Sequence, residues 1–160
     1  MTVENSPYDI VKAYGTASRV SALNPKMQFQ EFSKVINFCE GKTSCDWDNS
    51  VKRNMLLFWA YNKIAEMKVN EGNYIEALNN WQKGCKLVRN TETRIKIGNK
   101  MLELIDKVQL NIPEKAERII FITHYLYDAY NEIGDVDNAY KMARIKDIAT
   151  NLTSTTIVKH

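Results

Sequence analysis

The chain has 160 residues, 44% of them hydrophobic and 10% aromatic, and a formal net charge of +3 at pH 7. That length fits one domain with a substantial core and excludes a disordered chain except at its ends, while so small a charge argues against an obligate nucleic-acid binder and leaves room for a local basic patch. The longest apolar run, Met55 to Tyr61, is too short to span a bilayer, and the start MTVENSPYD has neither a basic nor an apolar targeting region, so a soluble, non-exported, cytoplasmic protein with no membrane partner is expected.

Cys39, Cys45 and Cys85 form no CxxC pair and are too few for a disulfide framework. They read as packing residues in a reducing compartment, with a Cys39–Cys45 bridge as the one pairing to consider.

In chain order, Ser6-Pro7-Tyr8-Asp9 carries a cap, a proline suited to a first helical turn and an acid for the positive helix end, predicting a helix to about Ala22 with Tyr14, Ala17 and Val20 inward. Asn24-Pro25 repeats the signal for a second helix bearing Phe32, Val35, Ile36 and Cys39, which Gly41 ends. The polar loop GKTSCDWDNS follows, and any seam between an N-terminal helical pair and the rest is expected there.

The stretch from Arg53 to Arg89 predicts two amphipathic helices joined by a tight turn. Leu56, Ala60, Ile64 and Met67 recur at helical spacing, and Phe58, Trp59 and Tyr61 widen that apolar face toward partners on several sides. Gly72 can adopt the left-handed conformation that ends a helix, and Asn73 can cap the next with Glu76 three residues on. Beyond the turn Tyr74, Ala77, Leu78, Trp81 and Cys85 share a stripe, with small Ala77 suited to a close helix crossing.

Thr91 or Thr93 can cap a further helix striped by Ile97, Met101, Leu104 or Ile105, and Val108. Pro113 opens another. Ile119 through Tyr130 is apolar nearly all round, which predicts a central helix; a strand is rejected because Glu114 to Glu117 favour a helix start and no other segment offers a pairing strand. A last helix is expected from Val136 to about Leu152, using Ala139, Met142 or Ala143, and Ile145 or Ala149, followed by a frayed tail.

Tyr61, Ile64, Ala65, Ala77 and Trp81 give this central stretch a pattern that resembles a tetratricopeptide-type helical hairpin. Lys68 and Arg89 stand where that motif has tyrosine and proline. A second, partial copy runs from Leu126 and Tyr130 into Gly134-Asp135-Val136-Asp137-Asn138-Ala139, matching Gly72 to Ala77 in type, with Thr123 and Tyr127 departing from the pattern. The two turns, Gly72 and Gly134, are about 62 positions apart, not a multiple of the family's repeat of about 34 residues. The expected fold is therefore all-α, one domain over residues 1–160. It has about seven helices in antiparallel hairpins, stacked as a short irregular solenoid or a compact bundle, with an N-terminal helical pair (6–40) set on hairpins spanning 46–152.

Chemistry-bearing motifs are few. No glycine-rich phosphate loop follows a strand, there is no nucleophile elbow, and of two histidines His160 is terminal. His124 and Asp128, four apart on one helical face, have the spacing of an acid/base or metal pair and equally of a plain surface contact, with no third ligand evident. Asp46, Asp48 and Ser50 echo a calcium loop but have Val51 and Leu57 where it needs glycine and glutamate, so capping is the better account. No cofactor or metal is expected. Lys83, Lys86, Arg89, Arg94, Lys96 and Lys100 make a basic strip, either a nucleic-acid contact or a solvated face.

The tetratricopeptide resemblance implies protein binding on a concave groove. By register that groove would be faced by Trp59, Asn62, Lys63 and Glu66 in the first hairpin, and by Phe121, His124, Asp128 and Asn131 in the second, although Trp59 and Phe121 are as well suited to a core. Neighbouring Asn62 and Lys63 would grip a peptide backbone or carboxylate, and Asn62→Ala or His124→Ala is expected to spare stability. The expectation is a non-enzymatic adaptor or regulator, such as an inhibitor or chaperone-like factor, that binds another protein or peptide segment and has ends covered by extra helices or self-association. The rival expectation is a nucleic-acid-binding helical protein using the Lys83–Lys100 strip.

Overall fold

The computed structural model describes residues 24–40 and 50–158. Among them every regular element is an α-helix: α1 (Pro25–Glu40), α2 (Ser50–Asn70), α3 (Tyr74–Cys85), α4 (Thr91–Ile105), α5 (Ile112–Glu132) and α6 (Val136–Val158). The all-helical reading holds with six helices in place of about seven, because the helix expected over residues 6–22 lies outside the described residues. So do the Cys39–Cys45 pairing and the calcium-like Asp46 and Asp48. The chain divides into two compact units between Leu87 and Val88, and in the first of them α1 packs onto α2.

In the first unit, Asn24 caps α1: its Oδ1 accepts the Met27 N–H at 3.2 Å and its carbonyl accepts the Gln28 N–H at 3.1 Å. Phe32, Val35 and Ile36, spaced to lie on one face, are buried against Leu56, Leu57, Ala60, Tyr61 and Ile64 of α2, with Phe29 and Leu87 at the edge. The Lys68 ammonium sits 4.8 Å from the centroid of the Phe29 ring. Helix α2 packs on both α1 and α3, which explains its broad apolar face. Trp59, expected to widen that face, instead remains 39% exposed.

The hairpin turn closes as its residues demand. Gly72 has φ +78; its N–H donates to the Val69 carbonyl at 3.0 Å and the Asn73 N–H to the Lys68 carbonyl at 2.9 Å. These two hydrogen bonds, one from the left-handed Gly72 and one from Asn73, satisfy carbonyls that a helix end leaves open. Asn73 then turns its Oδ1 to the Glu76 N–H at 3.4 Å to start α3. Ala77 is fully buried, and α3 comes so close to α2 at Gly84 that a β-carbon there would stand 3.0 Å from the Tyr61 Cβ.

In the second unit, α4 is capped by Asn90 and not by Thr91 or Thr93. The Asn90 Oδ1 accepts both the Thr93 N–H (3.0 Å) and the Thr93 hydroxyl (3.2 Å), and the Thr91 hydroxyl donates instead to Glu132 at 2.7 Å. The expected stripe Ile97, Met101, Leu104, Ile105 and Val108 is buried. Asn111 caps α5 through the Glu114 N–H at 2.9 Å, with Pro113 in the first turn. Helix α5 packs on both α4 and α6, yet Ile119, Ile120 and Phe121 are only partly buried, so its apolar circumference is not enclosed all round. Thr123, a departure from the repeat pattern, is fully buried because its hydroxyl donates to the Ile119 carbonyl at 2.7 Å.

The second turn reproduces the first. Gly134 has φ +73, its N–H donates to Asn131 and that of Asp135 to Tyr130, and Asp135 caps the Asn138 N–H at 3.2 Å. Helix α6 does not stop near Leu152 but continues to Val158. The hydroxyls of Thr150 and Thr153 donate to the Lys146 and Ala149 carbonyls at 2.8 and 3.1 Å, so these polar residues bond along the helix rather than ending it.

Candidate partner-binding groove

Of the four groove residues expected in the second hairpin, three come together. Phe121, His124 and Asp128 line an open groove of about 470 Å³ on α5 and α6, joined by Glu117, Ile120, Tyr125 and Lys146. The spacing 117, 121, 124, 128 keeps one face of α5 turned the same way. Asn131 is exposed further along the helix and is not part of the lining. The Phe121 and Tyr125 rings stack with centroids 6.4 Å apart and planes 14° from parallel, and the Arg94 guanidinium lies 5.1 Å from the Tyr125 centroid.

The polar side of the groove is a relay. Lys146 Nζ stands 3.2 Å from His124 Nδ1, and His124 Nε2 stands 3.5 Å from Asp128 Oδ2. An ammonium can only donate, so in this contact Lys146 is the donor, and Nε2 is turned toward the carboxylate. Both His124 and Asp128 are about half exposed, in surroundings suited to hydrogen bonding and charge recognition. Among the described residues no three His, Cys, Asp or Glu side chains are grouped to hold a metal ion. Lys146 has no motif to announce it. Its signal is antiparallel symmetry about Gly134, which sets residues nearly equidistant from the turn side by side.

The first-hairpin set lies on α2, in the other unit. Trp59 is exposed and Asn62, Lys63 and Glu66 are half-buried. The Asn62 Oδ1 accepts the Trp81 indole N–H at 3.0 Å and its amide N–H donates to Glu66 Oε1 at 3.3 Å, while Lys63 pairs with Glu66 at 3.6 Å. Asn62 is thus a tie between α2 and α3 more than a hand held out to a ligand.

The basic strip is not uniform. Lys83, Lys86, Arg89 and Lys96 are exposed and Lys100 is half-buried, with Lys83 and Lys86 in the first unit and the rest in the second. Arg94 is only 15% exposed and its guanidinium donates to Glu132 Oε1 at 2.9 Å. The hydrogen bond from Thr91, and then that from Arg94, lower the Glu132 pKa below its ordinary value.

Among the described residues no helix is long and apolar enough to cross a membrane. Compared with known proteins, the chain matches no family model, no curated protein and no solved structure.

Proposed function

We propose that this protein is a non-enzymatic helical adaptor or regulator that binds a segment of another protein in the α5–α6 groove. The observation that carries this reading is the convergence of Phe121, His124 and Asp128 with Lys146 on one open, largely apolar surface. An apolar floor with a few oriented polar groups is the composition that takes a side chain while fixing its direction. The twin turns at Gly72 and Gly134 make antiparallel helical hairpins, and the tetratricopeptide resemblance of the sequence suggests that such hairpins present surfaces to partner segments.

Nucleic-acid binding through Lys83 to Lys100 is the weaker reading, since Arg94 is held by Glu132 and Tyr125 and is thereby withdrawn from phosphate contact.

The test is affinity capture from the source cell with the full chain and with a His124→Ala/Asp128→Ala variant. A protein retained by the first and lost by the second is the expected result. Retention that the variant leaves intact, or specific retention of RNA in place of protein, overturns the proposal.

A further inference from the structure

The geometry points to a cationic side chain, arginine or lysine, as what the groove receives from the partner, presented beside an apolar neighbour; this rests on the protein-binding reading above. Phe121 and Tyr125 stack with nearly parallel planes beside the groove, and an aromatic face attracts a guanidinium or ammonium. Tyr125 already draws one from its own chain, Arg94 at 5.1 Å. The exposed carboxylates of Glu117 and Asp128 stand at the two ends of this aromatic floor, about 16 Å apart along the helix axis.

Against these two negative charges the lining sets a single ammonium, Lys146, which is hydrogen-bonded to His124. The groove is therefore net acidic over an apolar floor. Ile120 and Phe121 suit the methylene stem of a long basic residue whose head reaches a carboxylate. Charge complementarity thus selects a basic segment over an acidic one.

The sign of the ligand charge is read by fluorescence anisotropy of the full chain with two labelled, end-blocked peptides, one of alternating arginine and leucine, the other with every arginine replaced by glutamate. The arginine peptide is expected to bind about tenfold more tightly or better, and less so as salt is raised. Glu117→Gln and Asp128→Asn should each weaken it roughly two- to fivefold, as for partly screened ion pairs.

Lys146→Met is the decisive variant. It should strengthen the arginine peptide, whereas a groove built for an anion would lose affinity. Equal or preferred binding of the glutamate peptide, weakening by Lys146→Met, binding of neither peptide, or saturation of the same groove by a single-stranded oligonucleotide overturns the inference. Capture of a partner that depends on His124 and Asp128, combined with preference for the glutamate peptide, leaves protein binding standing and removes only the cationic ligand.

Discussion

The indole N–H of Trp81 donates to the Asn62 Oδ1 at 3.0 Å, tying α3 to α2 across the first hairpin. Trp81 is almost wholly buried, so Asn62→Ala removes the acceptor of a donor that water cannot readily reach. A loss of about 1 to 2 kcal/mol is expected, contrary to the neutrality that a purely ligand-facing Asn62 implies. His124→Ala, on a half-exposed side chain, should stay within about 0.5 kcal/mol. Urea unfolding of the two variants separates them, and an Asn62→Ala curve that overlays the parent refutes the tie.

Gly72 and Gly134 sit at φ +78 and +73 with open space where a side chain would go. The cost of a β-branched residue there is therefore one of backbone conformation alone. Gly72→Val and Gly134→Val should each destabilise by about 1 to 2 kcal/mol, and the corresponding asparagine variants by less. Thermal melts in which valine is neutral at both positions contradict the left-handed turns.

These turns were legible in the sequence because everything they need lies within a few residues: a glycine to end one helix and an Asn or Asp to cap the next. The start of α1 at Asn24 was legible for the same reason. At α4 the cap is Asn90, which the expectation of Thr91 or Thr93 misses. Thr91 is withdrawn from capping by Glu132, a residue 41 positions away. On α5, the register of the tetratricopeptide resemblance names Phe121, His124 and Asp128, which helical spacing keeps on one face and which share one lining. Lys146 comes from another helix and depends on how α6 lies against α5.

Helix-to-helix distance is likewise invisible to periodicity, and Gly98 shows it. A glycine within a helix reads only as a propensity penalty. In the structure a β-carbon at Gly98 would stand 2.5 Å from Leu126 Cδ2 and 2.6 Å from its Cγ, with Leu126 fully buried on α5. Gly98→Ala should therefore lower stability by about 1 to 3 kcal/mol despite alanine's better helix propensity. In a double-mutant cycle with Leu126→Ala the two losses should be less than additive, because the second substitution opens the space the first requires. Strict additivity in chemical denaturation removes the close contact.

Glu132 links the start of α4 to the end of α5, accepting hydrogen bonds from the Thr91 hydroxyl at 2.7 Å and from Arg94 at 2.9 Å. The Thr91 bond leads in lowering its pKa, with Arg94 next. A carboxyl that ionises more readily folded than unfolded contributes stability above its unfolded pKa. As pH falls, the unfolded chain takes up the proton first, and the contribution drains away from the ordinary glutamate range down through the lowered folded value. Thr91→Val should raise the Glu132 midpoint toward the ordinary range in a carboxyl-detected NMR titration and flatten the acid limb of the stability curve, more visibly at low salt because Glu132 is half exposed. A Glu132 midpoint that Thr91→Val leaves in place would show that this hydrogen bond does not hold the carboxylate in its ionised form.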